Sequence, residues 1–128
     1  MENKMNKKIL LADDTEILRD FQRTILKKFP GYEIEEFEDG SSLKSRLEGK
    51  VEDVSLVVTD NEMPGVNGSE IISEYAKKSK FPFVLVYGGG EEIGEQAIKN
   101  GAFRYLMKPF EMGQYVELIR EALKLSKG

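Results

Sequence analysis

The chain has 128 residues, 40% of them hydrophobic and 33% charged, with a formal net charge of −4 and no cysteine or histidine. That length and balance fit a single domain over residues 1–128, with its core at about 7–125, and argue against disordered or membrane-spanning classes. The missing cysteine and histidine exclude disulfide frameworks, thiolate nucleophiles, histidine bases and metals held by either residue, so any chemistry rests on carboxylates, lysine, hydroxyls and backbone.

Lys8-Ile9-Leu10-Leu11-Ala12 is a short apolar run closed by acids and predicts the first strand. Ile17, Phe21 and Ile25 then recur at four-residue spacing, as the inner face of a helix starting near Thr15 and stopping before Gly31. Tyr32 to Phe37 is more polar and suits a strand at a sheet edge, and Leu43 and Leu47 mark a helix closed by Gly49. Val54 to Thr59 is a second run of aliphatic and β-branched residues, the pattern of a strand buried on both faces. Ile71, Ile72, Tyr75 and Ala76 predict the next helix, starting near Asn67, and Phe83 to Tyr87 the fourth strand. Ile93 and Ala97 predict a helix ended by Gly101, Phe103 to Met107 a fifth strand, and Met112, Val116, Ile119 and Leu123 a last helix starting near Glu111.

Strand and helix alternate five times, which requires parallel strands and right-handed crossovers: an α/β, (βα)5, doubly wound five-stranded sheet with helices on both faces. Ligands of such sheets bind beyond the carboxyl ends of the strands. The first strand ends in Asp13-Asp14, the third in Asp60, the fourth in Tyr87 and a glycine run, and the fifth in Lys108-Pro109. Singly, Asp14 reads equally as a helix cap, Asp60 as the start of the turn at Pro64, Gly65 and Gly68, and Lys108 as a surface lysine. Together they place three acids and a lysine on one rim. Clustered carboxylates repel unless a cation is present, and an open all-oxygen site suits Mg²⁺, with Mn²⁺ as an alternative.

Ile9 to Asp14, Asp60 to Gly68 and Gly101 to Phe110 resemble the signature segments of receiver domains of two-component response regulators, and the resemblance covers nearly the whole chain. It implies a CheY-like, flavodoxin-like sheet of order 2-1-3-4-5, an order for which CheY is itself a standard example. It further implies a phosphoprotein of the stand-alone receiver type, with Asp60 as phosphoacceptor and a donor phosphohistidine on a sensor histidine kinase or histidine phosphotransfer protein. Mg²⁺ would be held by Asp14, Asp60 and the backbone carbonyl of Glu62, with Asp13 acting through water. Lys108 would pair with the phosphoryl group, and its bond to Pro109 would be cis. No enzymatic activity is implied beyond self-phosphorylation and dephosphorylation. The output would be contact with an unidentified downstream protein, as part of phosphorelay signal transduction.

Tyr105 matches the aromatic that changes rotamer on activation, or is simply a packed strand residue. Tyr87 departs from the family, which carries Ser or Thr there, and is followed by Gly88, Gly89 and Gly90. The expectation is that this loop turns the Tyr87 hydroxyl back over the phosphoryl site; the ring may instead fill the space of Tyr105, or pack beside the fourth helix. Three other readings compete. A haloacid-dehalogenase-type phosphatase needs its acids on the first strand and a cap domain, and an FMN carrier needs a first loop without the acids of Asp13-Asp14-Thr15-Glu16. A pseudo-receiver, signalling without phosphate, is kept open by Tyr87. Net acidity gives no reason to bind nucleic acid. The lysines at Lys4 to Lys8 and Lys124 to Lys127 read as solvated tails. With no apolar stretch suited to a signal peptide or bilayer span, the expectation is a cytoplasmic protein without membrane insertion.

Overall fold

Which strands lie inside the sheet follows from which runs are apolar on both faces. In the computed structural model, which describes residues 7–127, the strands are β1 (Lys7–Ala12), β2 (Tyr32–Phe37), β3 (Val54–Thr59), β4 (Phe83–Tyr87) and β5 (Arg104–Met107). They form one parallel sheet of order β2-β1-β3-β4-β5. Every residue of β3 and β4 is buried, as central strands covered on both sides require, while β2 and β5 alternate between half-buried and exposed positions at the two edges. The polar character of β2 thus marks the edge that the sequence predicts.

The crossovers are α1 (Glu16–Leu26), α2 (Gly40–Leu47), α3 (Gly68–Tyr75) and α4 (Glu91–Lys99), and α5 (Met112–Lys127) follows β5. Side chains alternate along each strand, so the sheet builds two cores. Ile9, Leu11, Leu56, Val58, Val84 and Val86 pack beneath α1 and α5. Leu10, Ala12, Val57, Phe83, Leu85 and Tyr87 pack beneath α2, α3 and α4. Asn67 caps α3 through a capping box: its side chain accepts from the Glu70 N–H, and the Glu70 carboxylate accepts from the Asn67 N–H. Helix α5 starts one residue after Glu111, whose N–H donates to Gln114 Oε1 at 2.8 Å.

Two inner faces differ from those the spacing predicts. Ile17 is 78% exposed and Phe21 41%, so α1 does not bury the Ile17-Phe21-Ile25 stripe. It buries Gln22, Ile25 and Leu26, with Leu18 half-buried. A polar residue occupies the centre of the true face, which breaks the apolar pattern and makes the neighbouring stripe look better. Met112 is also exposed, because α5 turns Tyr115, Leu118, Ile119, Ala122 and Leu123 inward. Of the terminal lysines, Lys4 lies outside the described residues. Lys8 is no solvated tail: it belongs to β1 and pairs with Glu35 at 3.9 Å and Asp53 at 3.8 Å.

Ile25→Ala should therefore cost about 2–5 kcal/mol, the usual range for truncating a large core aliphatic. Ile17→Ala should stay within about 0.5 kcal/mol of the parent, as exposed substitutions do. Urea unfolding of both variants checks the assignment of the face, and equal losses would restore the stripe read from sequence.

Candidate functional site

Three strand ends and one loop build the rim. β1 stops at Ala12, and Asp13 follows it fully buried, while its neighbour Asp14 is exposed. Asp60, 8% exposed, follows β3, and its N–H donates to the Ala12 carbonyl at 2.9 Å, which ties the two strand ends together. Lys108 follows β5, and its N–H is fixed to the Tyr87 carbonyl of β4 at 2.7 Å. The Lys108-Pro109 bond is cis, as expected.

From that anchor the Lys108 ammonium reaches Asp13 Oδ2 at 3.2 Å and Asp60 Oδ2 at 3.3 Å. One cation thus bridges acids from β1 and β3. Asp13 is held further by the Thr15 N–H on Oδ1 at 2.9 Å and by Gln22 Nε2 on Oδ2 at 3.1 Å. Asp60 Oδ1 accepts the Asn61 N–H at 2.7 Å. Asp14 has no hydrogen-bond partner among the described residues, and it does not cap α1, whose N-cap is Thr15.

Carboxylate oxygens of Asp13, Asp14 and Asp60 lie within 4.8 Å of one another, so three acids face a single lysine. Burial pushes the Asp60 carboxyl above its ordinary pKa; Lys108 opposes the shift and the charge of Asp13 adds to it. This donor set fits a hard divalent ion such as Mg²⁺: all ligands are oxygen, the charge is in deficit of cation, and the site is open on the Asp14 side. Glu62, named for its backbone carbonyl, has an exposed side chain, and no described donor is bonded to that carbonyl.

The loop after β3 is held by bonds that the sequence does not show, made by Asn61 with Ser69 and Gly68. Asn61 Oδ1 accepts from the Ser69 N–H at 2.9 Å and from its hydroxyl, and the Asn61 carbonyl accepts the Gly68 N–H at 2.7 Å. These bonds dock the start of α3 directly behind Asp60. Gln22, which positions Asp13, was also missed; a glutamine in the middle of a helix carries no motif.

Tyr87 differs from expectation. Its ring is fully buried, and its hydroxyl donates to the Gly90 carbonyl at 2.8 Å and accepts from the Gly94 N–H at 2.9 Å. The phenol is therefore bound at the start of α4 and does not turn back over the acids. The hydroxyl thus sits between the Gly94 N–H and the carbonyl of Gly90, the N-cap of α4, the two groups that face each other across the first turn of the helix. Gly89, at φ +142°, gives the loop a backbone shape that larger residues rarely adopt. The Tyr105 ring lies 6.1 Å from that of Tyr87, over Gly94, where a Cβ would overlap it. Tyr105 is half-buried, with its hydroxyl 3.4 Å from Glu91.

Tyr87→Phe removes both hydroxyl bonds and should cost about 1–3 kcal/mol, since the first turn of α4 loses the hydroxyl that links the Gly94 N–H to the Gly90 carbonyl. Amide exchange at Gly94 should speed up selectively, and unchanged exchange there would remove the capping role. A second expectation concerns pH. The folded chain holds the Asp60 proton more tightly than the unfolded chain, so between the two pKa values it carries more protons, and stability falls as pH rises through that interval. Without divalent cations, Asp60→Asn should exceed the parent in urea midpoint at neutral pH, with the advantage shrinking as pH falls through the interval. Equal midpoints at neutral pH would contradict the raised pKa.

The model of the response regulator receiver domain family matches residues 9–120. The chain is similar to the regulatory protein VanRc of Enterococcus gallinarum, 27% identical over 94% of this chain and 51% of that protein. It is similar also to the chemotaxis protein CheY of Halobacterium salinarum, 32% identical over 93% of this chain and 98% of that one. It spans about half the length of VanRc and of the transcriptional regulatory protein FixJ of Bradyrhizobium diazoefficiens. Among solved structures, a CheY-like receiver domain protein from Methanospirillum hungatei JF-1 superposes with a TM-score of 0.82 at 27% identity, over 95% of this chain and 97% of that one. With its acids, its lysine and its strand order all inside the matched segment, the chain belongs to the response regulator receiver domain family.

Proposed function

We propose that this receiver takes a phosphoryl group onto Asp60 from a phosphohistidine of a partner sensor histidine kinase or histidine phosphotransfer protein, and that it signals through contact with a downstream protein. The observation that carries this reading is the Asp60 carboxylate, 3.3 Å from Lys108 and within 4.8 Å of two further acids. In the transfer the phosphorus–nitrogen bond of the donor breaks as a carboxylate oxygen of Asp60 bonds to phosphorus, and the electron pair leaves with the imidazole. This chain has no histidine, so the donor imidazole belongs to the partner.

Phosphoryl transfer passes through a loose transition state, so the protein contributes position and charge neutralisation. The Asn61 N–H holds Asp60 Oδ1, and Lys108 stands ready to leave its carboxylates for a phosphoryl oxygen. Asp14, Asp60 and the Glu62 carbonyl would hold Mg²⁺ directly and Asp13 through water, and the ion supplies the neutralising charge that the three acids lack. Tyr87 enters as part of the frame of α4 instead of as a ligand of the phosphoryl group, and the Tyr87–Tyr105 pair is the element through which the site would bias the α4–β5 face. No described helix is long and apolar enough to cross a membrane, and we place the reaction in the cytoplasm.

Acetyl phosphate or phosphoramidate with Mg²⁺ should add one phosphoryl group, lost in Asp60→Asn. Asp14→Ala should slow uptake while leaving urea stability nearly unchanged, because Asp14 is exposed and has no partner to strand. Intact mass over time reads both. Full uptake by Asp60→Asn would end the assignment of the acceptor, and no uptake by the parent would favour signalling without phosphate.

A further inference from the structure

Behind Asp13 lies a buried polar pair to which phosphoryl transfer gives no role. Gln22 of α1 is 2% exposed and Tyr115 of α5 is fully buried, among the side chains with which these helices cover the sheet, Ile25, Leu26 and Ile119. An amide and a phenol in such a layer are costly unless bonded. The Tyr115 hydroxyl donates to Gln22 Oε1 at 2.8 Å, and Gln22 Nε2 donates to Asp13 Oδ2 at 3.1 Å. The last member fixes the direction of this chain. An ionised carboxylate only accepts, so the amide must present its NH₂ to Asp13, which leaves its carbonyl to Tyr115 and makes the phenol the donor. Burial, and secondarily the charge of Asp13, push the Tyr115 phenol far above its ordinary pKa, so it remains a donor.

The bonds divide unevenly between the two oxygens of Asp13. Oδ2 accepts from Gln22 and from Lys108, while Oδ1 accepts only from the Thr15 N–H. Of the roughly four acceptor positions on a carboxylate, both on Oδ2 are taken and one on Oδ1 is open. Without the amide, Oδ2 would keep only Lys108, which Asp60 also attracts. The terminal torsion of aspartate is soft, and the Thr15 N–H on Oδ1 and the shared Lys108 on Oδ2 would be left to hold the carboxylate.

We propose that Gln22 and Tyr115 are positioning residues for the acidic rim: they lock the rotation of the Asp13 carboxylate, committing Oδ2 to Lys108 and leaving the open position on Oδ1 to a water of the cation. The proposal rests on the Mg²⁺-dependent reading above and deepens it. Through Gln22, α5 is coupled to the rim without touching it.

The test uses Gln22→Met, which keeps the length and removes the donor, Tyr115→Phe, which removes one hydroxyl, and the double variant. Mg²⁺ alone is titrated into each, followed by the backbone amide shifts of Asp13, Asp14 and Asp60, with urea unfolding in parallel without metal. Gln22→Met should weaken Mg²⁺ binding about tenfold, the lower end for residues that orient a ligand, and Tyr115→Phe should weaken it less. The double variant buries no unpaired polar group, so it should recover much of the stability lost by either single change. Its affinity should nevertheless stay as low as that of Gln22→Met. A role in packing alone predicts that affinity follows stability back toward the parent, and that result would overturn the proposal, as would parental affinity in Gln22→Met. A parent chain that binds no Mg²⁺ would instead sink the phosphoryl reading together with what rests on it.

Discussion

Everything at the rim depends on the ammonium of Lys108. It comes from the end of β5 at one edge of the sheet and reaches the acids that follow β1 and β3 nearer the centre. It can do so because β4 lies between, and the bond from the Lys108 N–H to the Tyr87 carbonyl sets where the lysine stem begins. One positive charge is enough to make two buried carboxylates tolerable and too little to satisfy three. The rim therefore persists as a folded structure while keeping a net negative charge that favours a cation beside it. Removing the lysine would be a loss to the fold before it was a loss to chemistry, since it would leave Asp13 and Asp60 facing each other unscreened.

The two faces of the sheet carry different messages from that rim. On the side of α1 and α5, Asp13 continues inward through Gln22 to Tyr115. On the other side, Tyr87 binds the first turn of α4 and Tyr105 rests on Gly94. The phenol at 87 ends in bonds to the Gly90 carbonyl and the Gly94 N–H. Of the glycines after Tyr87, Gly89 is the one whose backbone, at φ +142°, needs a glycine.

Most of the architecture was legible in the sequence because central strands and helix stops are local signals. The runs ending in Ala12, Thr59 and Tyr87 needed no tertiary information, and the acids and lysine at strand ends had to meet once the strands were parallel. The departures at α1 and at Tyr87 share one cause. Ile17 and Phe21 imitate an inner face because the real one contains Gln22, and a glutamine scores as surface whatever it touches. The expectation for Tyr87 rests on its place at the end of β4 and on the glycines after it, whereas the direction of its ring depends on the Gly90 carbonyl and Gly94 N–H, which come together only when α4 is in place. Polar residues buried for their hydrogen bonds are invisible to hydrophobic periodicity, and here they are the ones that shape the site.

Asp13 and Asp14 are adjacent, chemically identical and not interchangeable. The chain bends at Asp14 just after β1, and the first acid falls inside while the second meets solvent. Asp13 then collects donors from Thr15, Gln22 and Lys108, which makes it part of the packing between α1, α5 and the sheet. Asp14 collects none and keeps its acceptor positions for whatever enters from outside. A carboxylate that must ligate cannot also be saturated by the protein, and one that must be buried cannot be left unsaturated. Two neighbouring acids divide along that line: the inner one is bonded on both oxygens and holds the lysine in place, and the outer one keeps its acceptor positions exposed.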